Sequence, residues 1–534
     1  MTETLTSAAP VLRTSKGRRL ARSVAAVASS GVLVGIGAAG AAPAFAAETT
    51  DCVPDNTVTS TGNPADVVAI QTLLDANTAI VCLSGTFVLA SPLTFDHDLT
   101  IFGLAPATLN GNDVTRMLTG SGQAELIVQN LSFVDGSAST GGAIEVDGEL
   151  SVENSVFNGN TSAGDGGAIR SNSNESVTIV DSTFRGNEAA GIGGAVLGFV
   201  IVTDSSVFSE NTASEGGALY GFAVVVSEST FSTNTALNAS AGAVRALAYA
   251  ATFGSTFVDN SAELTGGAIA TGFRSQDQSY GGTFGLNSTF VGNTAGVTGG
   301  AVFTEYGQIG LSTFLNNEAN SDVPAEHSEA IFVDGPEQEM QLGGNIFAGS
   351  RNNAQLGAGS ASTYNDNGGN VFSTSQSAEV ALGTPEASTL FARSVASIFG
   401  PNPGLADNGG ATETVALFCT SPAIDAVPTS SLVNFGLTSA PALAPVQKLL
   451  LSTADFTAVV ETTDVDQRNV DRTDLADAGA YENDVCVTLA ATGAEPATTG
   501  WLVGFAALLL GSGAAVALGS GRRSRTAARI SARS

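Results

Sequence analysis

The stretch SVFNGNTSAGDGGAI at residues 155–169 decides the fold, because its pattern returns along the middle of the chain. The pattern is S-x-F-x-x-N, a few small residues, and then G-G-A followed by Ile, Val or Leu. Further copies read STFRGNEAAGIGGAV at 182–196, SVFSENTASEGGAL at 206–219, STFVDNSAELTGGAI at 255–269 and STFVGNTAGVTGGAV at 288–302, with weaker ones at 131–144, 229–244 and 312–320. Successive copies begin about 23–33 residues apart, which is the length of one coil of a solenoid.

Short β-branched runs lie between the copies, for example SVTIV at 176–180 and VIVT at 200–203. Their composition and alternation indicate strands with one buried face. Three such strands cannot close a core by themselves, but coils stacked at about 4.8 Å form three parallel sheets around one apolar column. The sequence therefore predicts an all-β protein, a right-handed parallel β-helix.

The repeated Phe, Asn and Gly residues are predicted to be structural rather than functional. Each Phe would stack on the Phe of the next coil, and each Gly pair would allow a tight corner. The Asn side chains would form a hydrogen-bonded ladder at one turn. This ladder comprises Asn160, Asn187, Asn211, Asn234, Asn260, Asn293 and Asn317.

One stretch in the body of the chain, residues 64–77, has helical spacing through Val67, Ile70 and Leu74. A helix here would cap the N-terminal end of the apolar column. Such a cap matters because an uncovered coil edge is a template for aggregation.

Residues 1–46 have the order of a secretory signal peptide: a basic segment, an uncharged run at 23–42, and a small-x-small site at Ala44 and Ala46 for signal peptidase. An uncleaved membrane anchor is the alternative. We predict export with removal of residues 1–46.

The C-terminal segment 487–534 has the layout of a second processing signal. The pentapeptide is Leu489, Ala490, Ala491, Thr492 and Gly493. A polar spacer, an apolar stretch at 501–518 and an Arg-rich tail follow it, and the apolar stretch is just long enough to span a bilayer as a helix. Without the pentapeptide this would be a simple tail anchor.

That layout resembles the sortase-sorted proteins of Gram-positive bacteria, in the LAxTG variant. The resemblance implies cleavage between Thr492 and Gly493 and transfer of the Thr492 carbonyl to an amine of the cell wall. It also implies sortase and peptidoglycan as partners, with a membrane tether only before sorting.

The exported part of the chain is strongly acidic. The whole chain has 20 basic and 50 acidic residues; removing five basic residues and one acidic residue from each end leaves 10 and 48 over residues 47–492, a net charge of −38. This charge disfavours nucleic acid as a partner. It is compatible with Ca²⁺, but solubility explains it more simply, and we predict no cofactor and no metal ligands.

The cysteines number four: Cys52, Cys82, Cys419 and Cys486. An even number in an exported chain indicates two disulfides, for which three pairings are possible. We favour Cys52–Cys82 and Cys419–Cys486, because each pair lies close in sequence and brackets one end of the repeats.

The paired FxxN and GGA(I/L/V) motifs resemble the polymorphic outer-membrane protein repeats of the pectin-lyase-like superfamily. The segment 401–486 resembles the choice-of-anchor Q region, although Asn469 and a long insertion at 427–463 depart from it and leave the local fold open. The resemblance implies an N-terminal cap with the first coils at 47–125, repeats at 126–400 and a β-helix end at 401–486.

The superfamily includes polysaccharide lyases and hydrolases, so catalysis is a competing hypothesis. The sequence gives it little support, because His97 and His327 lie in no family motif. The sequence spacing of the basic residues indicates no carboxylate-binding groove; these residues are Arg116, Arg170, Arg185, Arg245 and Arg274.

We therefore predict a non-catalytic, wall-displayed protein for adhesion or surface interaction with a glycan or protein ligand. A passive spacer is the third possibility. The loops at 270–287 and 320–344 are the expected contact surfaces, because insertions protrude from the side of a solenoid.

Overall fold

The computed structural model describes residues 52–172, 174–275, 278–320, 328–335, 339–349, 355–359, 362–373, 382–428, 466–468 and 475–481. These residues form a parallel β-solenoid of about 12 coils. The prediction of an all-β parallel β-helix is thereby confirmed. The predicted signal peptide and sorting segment lie outside the described residues.

Each coil contributes strands to three parallel sheets. The sheet that carries the repeated Phe residues is called the Phe sheet. Its short strands are Ser132–Val134, Val156–Asn158, Thr183–Arg185, Val207–Ser209, Thr230–Ser232, Thr256–Val258, Thr289–Val291, Thr313–Leu315, Ile346–Ala348 and Val371–Phe372.

The second sheet, called the Val sheet, precedes the Phe sheet in every coil. Its separate strands are Leu126–Gln129, Leu150–Glu153, Ser176–Val180, Val200–Asp204, Gly282–Leu286, Tyr306–Gly310, Glu339–Gly343 and Thr363–Asp366. Longer strands run from one sheet into another: Ile80–Val88, Leu99–Asn110, Leu219–Ser227 and Val244–Phe253. Strand Thr57–Thr59 pairs with the first of these.

The third sheet follows the Gly pair of each copy. Its strands are Leu93–Phe95, Leu118–Gly120, Ile144–Val146, Ile169–Ser171, Val196–Leu197, Ile269–Thr271, Val302–Thr304, Ile331–Val333 and Leu356–Ala358. Eight two-residue strands form a ladder after the Asn turn: Ser137–Ala138, Thr161–Ser162, Glu188–Ala189, Thr212–Ala213, Thr235–Ala236, Ser261–Ala262, Thr294–Ala295 and Glu318–Ala319.

The repeated Phe residues stack along the interior, as the sequence predicts. From Phe133 to Phe372, successive ring centroids lie 4.5–5.0 Å apart with interplanar angles of 1–15°. Their side chains are almost fully buried. The centroid spacing matches the rise between paired strands, so one ring per coil fills the column.

The Asn residues form the predicted ladder. The Asn187 Nδ2 donates to Asn211 Oδ1 at 2.9 Å and to the Phe157 carbonyl at 3.1 Å. Its Oδ1 accepts from the backbone N–H and the Nδ2 of Asn160 at 3.1 and 2.9 Å. Every polar hydrogen and lone pair of this buried amide is therefore used, and the pattern repeats along the ladder.

The Ser that opens each copy forms a second ladder, which the sequence analysis did not predict. The Ser206 Oγ donates to the Asp204 carbonyl at 2.8 Å and accepts from the Ser182 N–H at 3.1 Å. The same two bonds recur at Ser229. Each Ser thus satisfies backbone groups at the corner between the Val sheet and the Phe sheet.

The Gly pair is needed because two constraints meet at its corner. The first Gly has positive φ, for example +66° at Gly266, and a Cβ on the second, Gly267, would lie 2.0 Å from the Gly300 carbonyl oxygen. Ala241 occupies the first position in the weaker copy, with φ +68°. A left-handed Ala costs about 1–2 kcal/mol, which is consistent with that copy being exceptional.

The helices described are Pro54–Asn56, a 3₁₀ turn, Pro64–Asp75 and Val395–Phe399. The second is the predicted N-terminal helix. Asn63 caps it by accepting from the Ala65 N–H at 3.0 Å, and its Ile70 and Leu74 are buried in the apolar core. The helix therefore belongs to the same core as the first coils.

The C-terminal residues lie along the outer face of the Phe sheet. The Gln467 Nε2 donates to Thr256 Oγ1 at 3.0 Å, Thr289 Oγ1 donates to Gln467 Oε1 at 2.7 Å, and the Ala480 N–H donates to Thr313 Oγ1 at 3.1 Å. A short antiparallel pair, Val427–Pro428 with Leu475–Ala476, joins this region. Most of the uncertain segment 427–463 lies outside the described residues.

Cys52 and Cys82 form a disulfide bond, the pairing that the sequence analysis favours, with their Cα atoms 5.8 Å apart. Cys419 is also disulfide-bonded, and Cys486 lies outside the described residues. Within the described part of the chain, none of the helices has the length and apolar composition needed to cross a bilayer. The predicted span at 501–518 is not in that part.

The Asn ladder predicts a large effect for Asn211→Ala. The substitution removes four hydrogen bonds: it takes the acceptor from the buried Asn187 N–H and one partner each from Asn187 Nδ2, Asn234 Oδ1 and the Phe184 carbonyl. A buried group left unsatisfied costs about 1–3 kcal/mol and each further hydrogen bond about 1 kcal/mol, so we expect the free energy of unfolding in urea to fall by roughly 3 kcal/mol or more. The control is Asn238→Ala, at an exposed Asn. Equal effects of the two substitutions would contradict the ladder's role.

Candidate functional site

The strands of the third sheet align a single file of outward side chains. Because side chains alternate along a strand, the residue after each inward Ile, Val or Leu faces outward. We call this file the outer column: Glu145, Arg170, Leu197, Tyr220, Arg245, Ala270, Phe303 and Phe332. At a rise of about 4.8 Å per coil it is roughly 34 Å long.

The first part of the outer column is an ion-pair group centred on Glu145. Arg116 lies 2.5 Å and Arg170 3.5 Å from its carboxylate oxygens. Arg116 also donates from Nε to the Gly141 carbonyl at 2.8 Å. Both guanidinium groups therefore already bind residues of the solenoid.

The middle of the outer column is built around Arg245. Its Nε lies 2.6 Å from Glu215 Oε1, and its Nη2 donates to the Gly272 carbonyl at 2.7 Å. Its Nη1 donates to the carbonyls of Ala246 and Ala270 at 3.0 and 3.3 Å. Burial raises the pKa of the neighbouring Tyr220, and the negative charge of Glu215 raises it further.

Arg170 and Arg245 lie in the same outer column, each beside a Glu carboxylate, and this alignment does not by itself form the carboxylate-binding groove that the sequence analysis considered. They share one face, three coils apart. Unequal coil lengths concealed this relation. Arg185, in contrast, forms an exposed pair with Glu210 at 2.9 Å, and the side chain of Arg274 is outside the described set.

A cleft opens in the outer column where the small side chain of Ala270 separates Arg245 from Phe303. Its walls also include Ser240, Thr265, Thr271, Gly272 and Glu305. Its volume is about 90 Å³, well below the range for clefts that bind drug-sized ligands.

The segments 270–287 and 320–344, which the sequence analysis predicts to be long loops, both contain regular strands. Within 270–287 the described insertion is a hairpin, Phe273–Ser275 with Gln278–Tyr280, placed between strands of the third and Val sheets. Within 320–344, Ile331–Val333 and Glu339–Gly343 are ordinary solenoid strands. The expectation of two long protruding loops was therefore wrong for these strand residues.

His97 and Arg468 both lie beside acidic residues of the fold. The His97 Nδ1 lies 3.6 Å from Asp96 Oδ1, while Asp98 Oδ1 accepts from the Glu125 N–H at 2.9 Å. Arg468 pairs with Asp466 at 2.7 Å and stacks over Tyr481 at 3.8 Å. His327 lies outside the described residues. In the described part of the chain, acids, His and Cys form no group that fits a metal ion.

Three acids lie close together where strands of the Val sheet end: Asp181, Asp204 and Glu228. Burial raises the pKa of Asp204 to about 7, and the negative charge of Glu228 adds to the effect. Burial also raises the pKa values of Asp181 and Glu228. Only 3% of Asp204 is exposed, so its charged form lacks solvation.

The family model that matches the chain is the Chlamydia polymorphic membrane protein repeat, over residues 154–172 and 205–221. No curated protein sequence matches the chain. Both matched segments lie within the parallel β-solenoid. The match includes strands of the Phe sheet and of the third sheet, among them those that carry Arg170 and Tyr220 of the outer column.

Solved structures similar to the chain include two PL6 family lyases. One is a mutant of the alginate lyase AlyGC, with 12% identity, a TM-score of 0.35, and coverage of 68% of this chain and 56% of that chain. The other is a mannuronic acid specific lyase from human gut microbiota, with 12% identity, a TM-score of 0.30, and coverage of 60% and 87%. At these scores neither similarity bears on the activity of this chain.

The buried acids predict a pH-dependent stability. The folded-state pKa of Asp204 lies above its ordinary value, so the folded protein retains a proton that the unfolded chain releases. The free energy of unfolding should fall as pH rises from about 4 to about 7 and then level off. Asp204→Asn should remove this loss, making the variant more stable at pH 8 by an amount on the order of 1–4 kcal/mol.

Thermal or urea unfolding at pH 4 and pH 8 measures this difference. Asp55→Asn is the matched control, because Asp55 is exposed. A variant whose advantage is the same at both pH values would show that ionisation of Asp204 is not the cause.

Proposed function

We propose that this chain is a non-catalytic cell-surface protein whose solenoid mediates adhesion or another surface interaction. The match of two segments to a polymorphic membrane protein repeat, in a chain folded as a solenoid, carries this proposal. A stack of about 12 coils has long lateral faces, and such faces suit extended contacts with a partner.

The ends of the solenoid fit this display role. Helix Pro64–Asp75 packs on the first coils, and we propose that it closes the N-terminal end of the column. Further along the solenoid, Gln467 and Ala480 bind the side of the Phe sheet at Thr256, Thr289 and Thr313. Gln467 and Ala480 precede the proposed anchor in sequence. Their hydrogen bonds attach the last described segment to several coils.

We further propose that the chain is attached to the wall of a Gram-positive cell through Leu489, Ala490, Ala491, Thr492 and Gly493. The support is the sequence layout of pentapeptide, spacer, apolar stretch and basic tail. Sortase and peptidoglycan would be the partners in this step.

Anchoring predicts a change of location for Thr492→Ala. Expressed in a sortase-positive host, the parent chain should be released from boiled walls only by digestion of the wall. The Thr492→Ala variant should stay in the membrane fraction, because it lacks the residue whose carbonyl would be transferred. Thr498→Ala, outside the pentapeptide, is the control. Wall-linked Thr492→Ala protein would refute sorting at this site.

Adhesion and catalysis make different predictions for cells that display the full chain. Adhesion predicts saturable retention of a glycan or matrix protein with no cleavage product. The enzyme alternative predicts new reducing ends or unsaturated oligosaccharides from the same samples. A passive spacer predicts neither result.

A further inference from the structure

We propose that an apolar ridge at the corner between the third sheet and the Val sheet binds a basic protein segment that also carries apolar side chains. This surface, called the Phe222 ridge, consists of Leu197, Phe199, Tyr220, Phe222 and Leu247. The inference rests on the proposed function of surface interaction and deepens it, because it assigns the contact to a place and to a class of partner.

The strand pairing brings the ridge side chains together in neighbouring coils. Leu197 pairs with Tyr220 in the third sheet. At the corner that follows, the Phe222 N–H donates to the Phe199 carbonyl at 2.9 Å. Side chains two residues apart along an extended strand face the same side. Phe199 and Phe222 therefore continue the outward face on which Leu197 and Tyr220 lie.

A β-bulge adds the last member of the ridge. The strands Leu219–Ser227 and Val244–Phe253 shift register here, so that Leu247 and Ala248 lie opposite Phe222 alone. Ala248 belongs to the buried apolar cluster of the Val sheet, whereas Leu247 is half-buried. Bulges of this kind redirect side chains and are common next to functional sites. The bulge thus places a Leu side chain beside the Phe222 ring.

Phe222 extends an aromatic stack from the buried cluster into solvent. Its ring centroid lies 4.9 Å from that of Phe199, at an interplanar angle of 6°. Phe199 packs against the buried cluster, whereas 36% of Phe222 is exposed. One exposed Phe would need no explanation, but adjacent apolar and aromatic side chains indicate a binding surface. Because the inner ring supports the outer one, Phe222 loses little entropy when a partner binds it.

Carboxylates lie beside the ridge on the side of the third sheet. Burial raises the pKa of Tyr220, the carboxylates of Glu215 and Asp165 raise it further, and Arg245 acts in the opposite direction. Both carboxylates are therefore close to the Tyr220 hydroxyl. Two carboxylates and one guanidinium give this side of the ridge a net negative charge.

A further carboxylate lies one coil before the ridge. Ser176 pairs with Val200, so the exposed Glu175 stands beside Phe199 at the same corner. The whole chain has a net charge of −30. A basic partner is therefore attracted over a long range and can place Lys or Arg beside these acids. A second copy of this chain has the same charge and would be repelled.

The size and composition of the ridge suit a protein segment. An apolar centre bordered by charged groups is the usual arrangement of a protein–protein interface. The Phe222 face can contact an aliphatic or aromatic side chain, and its negative quadrupole attracts Lys or Arg. The ridge spans three coils, about 10 Å along the solenoid axis. That length matches a short extended segment of a partner.

The experiment uses cells that display the full-length chain. The probe is a short fluorescent peptide in which Leu and Trp alternate with Lys and Arg. Two matched peptides carry Glu in place of Lys and Arg, or Ser in place of Leu and Trp. We expect saturable binding of the first peptide and binding weaker by about 10-fold or more for each of the others. Added salt should weaken the binding of the first peptide.

Phe222→Ala removes the exposed ring and should weaken binding of the first peptide about 10-fold, because central aromatic side chains dominate interface affinity. Phe418→Ala is the matched control, since Phe418 is 46% exposed and lies outside the ridge. Phe222→Tyr keeps the ring and should retain binding. Glu175→Gln should reduce the salt dependence, whereas Glu188→Gln, at another exposed acid, should have no comparable effect.

Display level and protease resistance show that each variant is folded. Peptide binding that Phe222→Ala leaves unchanged would overturn the assignment, as would equal binding of the peptide with Glu in place of Lys and Arg. Retention of a neutral oligosaccharide that depends on Phe222, without binding of the basic peptide, would overturn the partner class. Cells that bind no peptide but adhere to a matrix protein would overturn this inference alone, whereas cells that adhere to nothing would count against the proposed function.

Discussion

The buried Asn ladder is the constraint on which the rest of the structure depends. Each amide within the ladder, such as that of Asn187, uses both donors and both lone pairs. Three of these four bonds reach neighbouring Asn residues, and one reaches the Phe carbonyl of the preceding coil. A coil displaced by one residue would bury unsatisfied amides, at a cost of about 1–3 kcal/mol for each group. The ladder therefore fixes where every coil begins, and the Phe three residues earlier must stack as a consequence.

Fixing one turn in this way leaves the other connections free to vary in length. The hairpin Phe273–Ser275 with Gln278–Tyr280 is added between two sheets without shifting the neighbouring Asn260 and Asn293, which remain bonded at 3.0 Å. The loop cost of such an insertion rises only slowly with length. Residues of different chemical types can thus be inserted beside the third sheet without changing the apolar column inside. The cleft near Ala270 lies directly beside this insertion.

The interior could be predicted from the sequence, because its periodic signals are strong: Phe157, Asn160 and the Gly pair recur at fixed offsets, and helix Pro64–Asp75 has both an apolar face and a capping Asn. The outward faces could not be predicted in the same way. The relation of Arg170 to Arg245 depends on the lengths of the coils between them, and only strand pairing reveals it. The role of Ser206 was also missed: a Ser recurs in every S-x-F-x-x-N copy, but the repeat alone does not show which backbone groups its hydroxyl bonds until the strands are paired.

The three faces of the solenoid differ in how much of each is free for a partner. The Phe sheet is covered by the C-terminal residues from Thr256 onward, where side-chain hydroxyls bond to Gln467. On the Val sheet, the apolar cluster around Tyr249 and Phe284 is buried and therefore not accessible to a partner. The third sheet instead carries half-buried Arg and aromatic side chains in a straight file. Specific recognition requires polar groups that are both held in place and reachable, so of the three faces the third sheet best suits the proposed surface interaction.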